Sequence, residues 1–183
     1  MINFCLTEEE KNILRNLIGK TIIKYRHDPL DKLGTDSVYG RVELFFDNAI
    51  VLINYDYEHL PLFGSNVGDH PKFVIEKICE NEATSALQNT NQIDIKCDET
   101  IQSIILVEEY VNLEWDGKTD EVRLLKALIF KLDKEELTFQ GDYMLPLIDI
   151  LKGEDTSERL VAPGEEFIQP DTKYNIKRVF IRL

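Results

Sequence analysis

The sequence predicts a mainly β fold, α+β at the margin: an antiparallel β-sandwich or partly open barrel of about nine strands with one N-terminal helix. Three observations carry this. Apolar residues alternate with period 2 through much of the chain after Gly19. Two segments, 38–57 and 122–143, place a turn dipeptide in the middle of that alternation, as a hairpin requires. Only the stretch before Gly19 spaces its apolar residues helically, so the helices that a parallel α/β sheet needs between its strands do not recur. With 183 residues, 43% hydrophobic and 30% charged, the chain is expected to form a single domain, 1–183, whose core suffices without disulfide or metal.

The helix begins at a capping box. In Thr7-Glu8-Glu9-Glu10 the Thr7 hydroxyl accepts the Glu10 amide, the Glu10 carboxylate reaches back, and three acids complement the helix dipole. Ile13, Leu14, Leu17 and Ile18 then form one apolar stripe over about three turns, and Gly19 closes it. Thr21 to His27 reads as a strand and Asp28 to Ser37 as a loop. In the first hairpin Asp47-Asn48 is the turn; Phe46 then faces Ala49, Leu44 faces Val51 and Val42 faces Ile53, all on one side. Glu58 to Pro71, with two prolines, two glycines and two histidines, is expected to be an irregular loop.

Lys72 to Glu80 fits strand or helix, Asn81 to Gln92 is a polar connection, and Ile93, Ile95 and Cys97 alternate in a short strand. Ser103 to Trp115 is a longer strand ended by Asp116-Gly117. Val122–Leu132 and Glu136–Gln140 flank Asp133-Lys134 in the second hairpin, and strands follow at 147–152 and 174–183. Adding 86 to the first hairpin aligns Asp47, Asp56 and Tyr57 with Asp133, Asp142 and Tyr143, together with the apolar faces, a possible pseudo-repeat.

No residue constellation identifies an enzyme. The loop Gly64 to His70 lacks the Lys and following helix that a phosphate loop needs, and neither G-x-G-x-x-G nor G-x-S-x-G occurs. His27, His59, His70 and the three cysteines lie too far apart for the close ligand pairs of zinc sites; a set of His59, Asp69 and His70 is the one arrangement to test. Asp116 to Glu121 lacks the alternating oxygens of a calcium loop. Ser65 or Cys79 beside His70 is the remaining nucleophile and base pair, without an evident orienting group. No catalytic residue, metal or cofactor is therefore assigned, and the reading leans away from an enzyme.

Charge is more informative. The formal net charge is −13, and positions 51–150 hold 20 acids against 8 bases, so a phosphate backbone or an anionic membrane surface is repelled and no nucleic-acid or membrane partner is expected. Three cysteines, an odd number without CxxC spacing, no basic leader and no long apolar run predict a cytoplasmic protein. Asp56, Glu58, Glu108, Glu109, Glu114, Asp116, Asp120, Glu121 and Asp142 fall on expected solvent faces or strand ends, among Tyr39, Tyr57, Tyr110, Trp115 and Tyr143. Acids that steer association beside aromatic anchors describe a surface for a basic protein. The partner-binding set expected from sequence is Asp56, Glu58, Glu114, Trp115, Asp116, Asp120, Glu121, Asp142 and Tyr143. The leading reading is a non-catalytic interaction domain, of which an immunity-type toxin neutraliser is one form. The alternatives are a β domain that binds a small molecule or peptide, or an enzyme with a nonstandard site on the 58–71 loop.

Overall fold

Eleven strands and one α-helix form among the residues that the computed structural model of the chain describes, 1–29, 37–62, 66–79, 92–142, 145–163 and 173–183. In chain order they are β1 (Ile2–Phe4), α1 (Glu8–Arg15), β2 (Thr21–Pro29), β3 (Ser37–Phe46), β4 (Ala49–Leu62), β5 (Asn66–Ile78), β6 (Ile93–Thr100), β7 (Ser103–Trp115), β8 (Lys118–Lys131), β9 (Glu136–Gly141), β10 (Leu147–Gly153) and β11 (Lys173–Arg182). A 3-10 turn at Thr156–Arg159 lies between β10 and β11. The mostly antiparallel fold is the predicted one; β1, which joins β8 in parallel, and β5 are the additions.

The capping box forms as read: Glu10 N–H donates to Thr7 Oγ1 at 3.2 Å and Thr7 N–H to Glu10 Oε2 at 2.7 Å. The α-helix stops at Arg15, shorter than the stripe suggests, and turn hydrogen bonds carry the chain to Gly19, whose φ is +82°. Tertiary pairing ends it there, because the Gly19 amide donates to the Ile101 carbonyl at 2.8 Å. Leu14 and Leu17 are fully buried, whereas Ile18 is an exposed member of the expected stripe.

Both hairpins have the predicted register. Phe46 pairs with Ala49, Leu44 with Val51 and Val42 with Ile53. In the second, Phe130 pairs with Leu137 and Leu128 with Phe139, and Leu132 N–H donates to the Glu135 carbonyl across Asp133-Lys134. The registers coincide under the shift of 86, but two hairpins with two-residue turns and the same apolar phase coincide in any case, so ancestry is not decided by it. Tyr143 lies outside the described residues.

The described residues of 58–71, 58–62 and 66–71, are strand and not loop: β4 and β5 pair through them, Tyr57 with Pro71, Glu58 with His70, Pro61 with Val67 and Leu62 with Asn66; residues 63–65 lie outside the described ones. The prolines mislead the sequence reading because both stand at harmless positions. Ile75 turns its amide away from β4, to Glu10 Oε1 at 3.1 Å, so by antiparallel alternation Pro71 has its nitrogen on that same outer side, and Pro61 faces away from β5. Neither removes a ladder bond.

The sheet runs β11-β7-β8-β9-β10-β3-β2-β6 and does not close into a barrel. It forks twice. β3 pairs β10 through Ser37–Tyr39 and β4 through Arg41–Phe46, on the same edge. β8 likewise pairs β1 through Val122–Leu124 and β9 through Ala127–Lys131. At the first fork Gly40 N–H donates to the Pro146 carbonyl at 2.7 Å, and a Cβ there would meet the Tyr55 carbonyl oxygen at 2.1 Å. At the second, the Tyr55 ring lies on Gly141, where a Cβ would stand 2.3 Å from it, and the Tyr55 hydroxyl donates to the Asp142 carbonyl at 2.5 Å. The buried Lys126, the extra residue of a bulge opposite Val107 and Glu108, donates to the Gly141 carbonyl at 2.5 Å. The core joins both arms of the folded sheet: Ile104, Leu106, Leu128, Phe130 and Phe139 from one, Val42, Leu44, Val51, Ile53 and Phe73 from the other, with Leu14 and Leu17 of the helix.

A methyl group at either glycine should therefore destabilise the protein. Gly141→Ala is expected to cost about 1–3 kcal/mol, since the Tyr55 ring must shift, and Gly40→Ala more, because a carbonyl of the paired strand cannot turn aside. Urea denaturation checks this; a midpoint unchanged for both would mean the forks are not where the sheet is held.

Candidate functional site

The residues expected to bind a partner divide among three places. Asp56 and Glu58 lie exposed on the β4–β5 ribbon, where Glu58 is paired with Lys72 at 2.5 Å. Asp142, partly exposed, is structural: its carbonyl accepts from Tyr55 and its carboxylate from Leu145 N–H at 3.0 Å. Glu114, Trp115, Asp116, Asp120 and Glu121 share the tip of the β7–β8 hairpin. Trp115 pairs there through its backbone with Lys118; its side chain is outside what the structure describes.

Two acids read as solvent-facing are the reverse. Glu108 and Glu109, adjacent on β7 and so on its opposite faces, are both fully buried, next to the bulge at Lys126. Arg123 of β8 covers the first, its Nε 2.9 Å from Glu108 Oε2, and Arg178 of β11 the second, at 2.5 Å. Alternation along one strand cannot show which neighbour supplies the guanidinium. Glu43, also buried, lies 3.5 Å from Arg41 and 4.0 Å from Arg26, and burial pushes its carboxyl above the ordinary range. Glu136 is tied to Lys131 and to Thr156. Glu108, Glu109 and Glu136 thus hold the fold together, and the exposed acidic surface is smaller than the composition implies by these residues.

At the hairpin tip the remaining acids surround a cleft open to solvent. It is lined by Asn112, Glu114, Asp120 and Glu121 of the hairpin and by Tyr174 and Asn175 of β11. Cross-strand pairing sets Glu121 opposite Asn112 and Asn112 opposite Asn175, so the three lie in one row on one face. Asp116, at φ +49°, makes the turn with Gly117. Lys173 stands 3.6 Å from Glu114 and offsets part of the charge. The rows of Asn and the contribution of β11 were missing from the sequence reading, since nothing local says that residues 173–175 lie beside 112–114.

Of the nucleophile and base pairs read from the sequence, only Cys79 with His70 falls among the described residues, and it does not assemble. Cys79 and His70 are separated by nine residues along and just beyond β5, about 30 Å of extended chain, and Ser65 lies outside the described residues. His59 stands opposite Asp69 in the ladder and His70 opposite Glu58, with Phe4 beside the His70 ring at 6.3 Å. Among the described residues no group of three or more His, Cys, Asp or Glu is placed to hold a metal ion, and no helix is long and apolar enough to cross a membrane. A second groove lies between α1 and β5, lined by Thr7, Glu9, Ile13, Arg41, Leu52 and Glu76.

Two solution properties follow from the charge environments. Burial, and then Glu108, push the Cys5 thiol up to about 12, and burial also raises Cys97, whereas Cys79 is exposed. A thiol reagent at about pH 8 should modify Cys79 quickly and the other two slowly until the chain is unfolded; rapid reaction of Cys5 would mean that the chain beside β1 is not packed on Glu108. Hydrogen bonds from Arg26 first, then Lys24, hold Asp94 down from 3.8 to about 2. Its stabilisation is complete above the ordinary value and lost as pH falls through about 2, so Asp94→Asn should flatten the acid limb of a stability profile in that window. An unaltered limb would show the pairing to be idle.

Compared with protein-family models, with curated proteins and with solved structures, the chain finds no match in any of the three.

Proposed function

We propose that the chain is a protein-interaction domain that holds a basic protein partner at the tip of the β7–β8 hairpin. One observation carries the reading: Glu114, Asp120 and Glu121 gather at one solvent-open cleft, with exposed Asp116 beside them, while Glu108, Glu109 and Glu136 are buried in ion pairs inside the fold. Acids held on a paired ribbon supply a fixed negative field, which speeds encounter and selects a basic surface. An immunity-type role, in which the domain occludes a basic toxin, is a form of this function that needs no catalytic group. Three cysteines outside any disulfide suit a reducing, cytoplasmic setting.

The peptide-binding alternative keeps one supporting feature, the groove between α1 and β5. The enzymatic alternative depended on a 58–71 loop, and the described part of that segment is a regular ladder.

The experiment is affinity capture with the full chain at low and high salt, in parallel with the variant Asp116→Lys/Glu121→Lys. A basic protein should be retained at low salt, released at high salt and bound about tenfold more weakly by the variant, whose thermal midpoint should be unchanged. Equal capture by wild type and variant would remove the tip from the interface.

A further inference from the structure

The sheet ends on β11. β7 holds this strand over ten residues, from Lys173 opposite Glu114 to Arg182 opposite Ile105, without a register shift, and no other described strand pairs with it. Leu183 N–H donates to the Ile104 carbonyl at 2.9 Å. Antiparallel alternation then turns the odd-numbered amides toward β7 and those of Ile176, Arg178, Phe180 and Arg182 outward, as a row of donors and acceptors that no described strand takes up.

Other edges in the fold are blunted. β5 carries Pro71 on its outer side, and Glu10 of α1 takes the Ile75 amide. β6 is interrupted by a register shift, near Asp98 at φ +56°. β11 has no proline, glycine or bulge, and exposes 51% of Phe180 and 38% of Tyr174. Such an edge is a template for another strand.

Its charge selects the occupant. From Lys173 to Leu183 the chain has four bases and no acid, against a net −13 for the whole. Lys173 and Arg178 serve Glu114 and Glu109, while Lys177 and Arg182 make no ion pair among the described residues. A second copy of β11 fits poorly. The two-fold registers that use the whole strand, centred on Lys177 or on Arg178, set that central base against its own copy and bring no acid opposite the others, and like charges directly opposite are destabilising. We propose that β11 accepts an extended acidic segment of another protein as an added strand, with backbone hydrogen bonds along the outward amides, carboxylates beside Lys177 and Arg182, and an apolar side chain against Phe180. This surface meets the acidic hairpin tip at Lys173 to Asn175, but Lys177, Phe180 and Arg182 lie beyond that cleft and the proposal does not depend on it.

The test uses labelled peptides of about ten residues, the length of a full strand, one of Glu-Glu-Val-Val repeats and one of Lys-Lys-Val-Val repeats, which can set a charge beside Lys177 and Arg182 on the two faces with Val against Phe180, with fluorescence anisotropy of the intact chain at about 0.15 M salt, where the overall charge is screened beyond about 8 Å. The Glu peptide should bind saturably and at least about tenfold more tightly than the Lys peptide. Phe180→Pro removes an outward amide and spares the β7 ladder, so it should weaken binding about tenfold, and more than Phe180→Ala does. Lys177→Glu/Arg182→Glu should reverse the preference, and this pair decides the matter if the proline variant does not fold. Absent saturable binding, equal binding of both peptides, or binding indifferent to these variants overturns the proposal. So does a wild-type dimer in sedimentation that Phe180→Pro dissociates, which would make the occupant a second copy.

Discussion

The seating of the Tyr55 ring against Gly141 is the contact on which the architecture turns. A sheet strand normally offers each edge to one neighbour, yet β3 and β8 each offer one edge to two. Wherever a partner leaves, it strands backbone carbonyls in the interior, and a buried carbonyl without a donor is costly. Here the gap is closed by two side chains, the Tyr55 hydroxyl on Asp142 and the Lys126 ammonium on Gly141. The tyrosine can reach only because Gly40 and Gly141 leave room for the close approach of its backbone and its ring. Phe73 packs on the same tyrosine at 4.5 Å between centroids, which ties the long β4–β5 ribbon to the fork.

Charge follows the same geometry. Bringing β7 under cover buries Glu108 and Glu109, and each is stabilised by a guanidinium from the strand on either side, Arg123 and Arg178. Arg178 also donates to the Val161 carbonyl at 2.6 Å, and Gln140 accepts from Val161 N–H at 2.9 Å. The segment around the 3-10 turn is thereby fastened over the outer face, above Val107, Ala127, Ile129 and Leu160. Breaking a buried pair leaves an uncompensated charge, so these arginines are structural even though they lie in the middle of an acidic region. What is left outside is two surfaces of opposite sign, an acidic hairpin tip and a basic sheet edge, joined where Lys173 meets Glu114.

Edge protection connects the helix to the sheet. Glu10 completes the capping box of α1 and also receives the Ile75 amide of β5, so one carboxylate starts the helix and closes an open edge. The α1–β5 groove is lined by the same elements and is correspondingly shallow in function: its edge is already occupied at Ile75. By contrast, among the described residues β11 has no such guard except its own bases.

Short-range patterning was enough for the sequence to determine the mainly β class, the capped helix, both hairpins and their registers, because a two-residue turn and a period of 2 leave one pairing that puts Val42, Leu44, Val51 and Ile53 on a common face. It also placed the acids of the hairpin tip, Glu114 to Glu121, within one turn of chain. It misread 58–71, since proline and glycine look the same in a loop and at the non-bonded positions of a ribbon, and only the outward amide of Ile75 reveals which applies. It misplaced Glu108 and Glu109 for a similar reason: they are buried next to a bulge, against arginines from β8 and β11. The forks, the cleft shared with β11 and the open edge all rest on pairings between residues far apart in the chain, such as Asn175 with Asn112. Only the tertiary structure decided these, because strand adjacency is set by how the whole sheet folds over its core and leaves no local trace in composition or period.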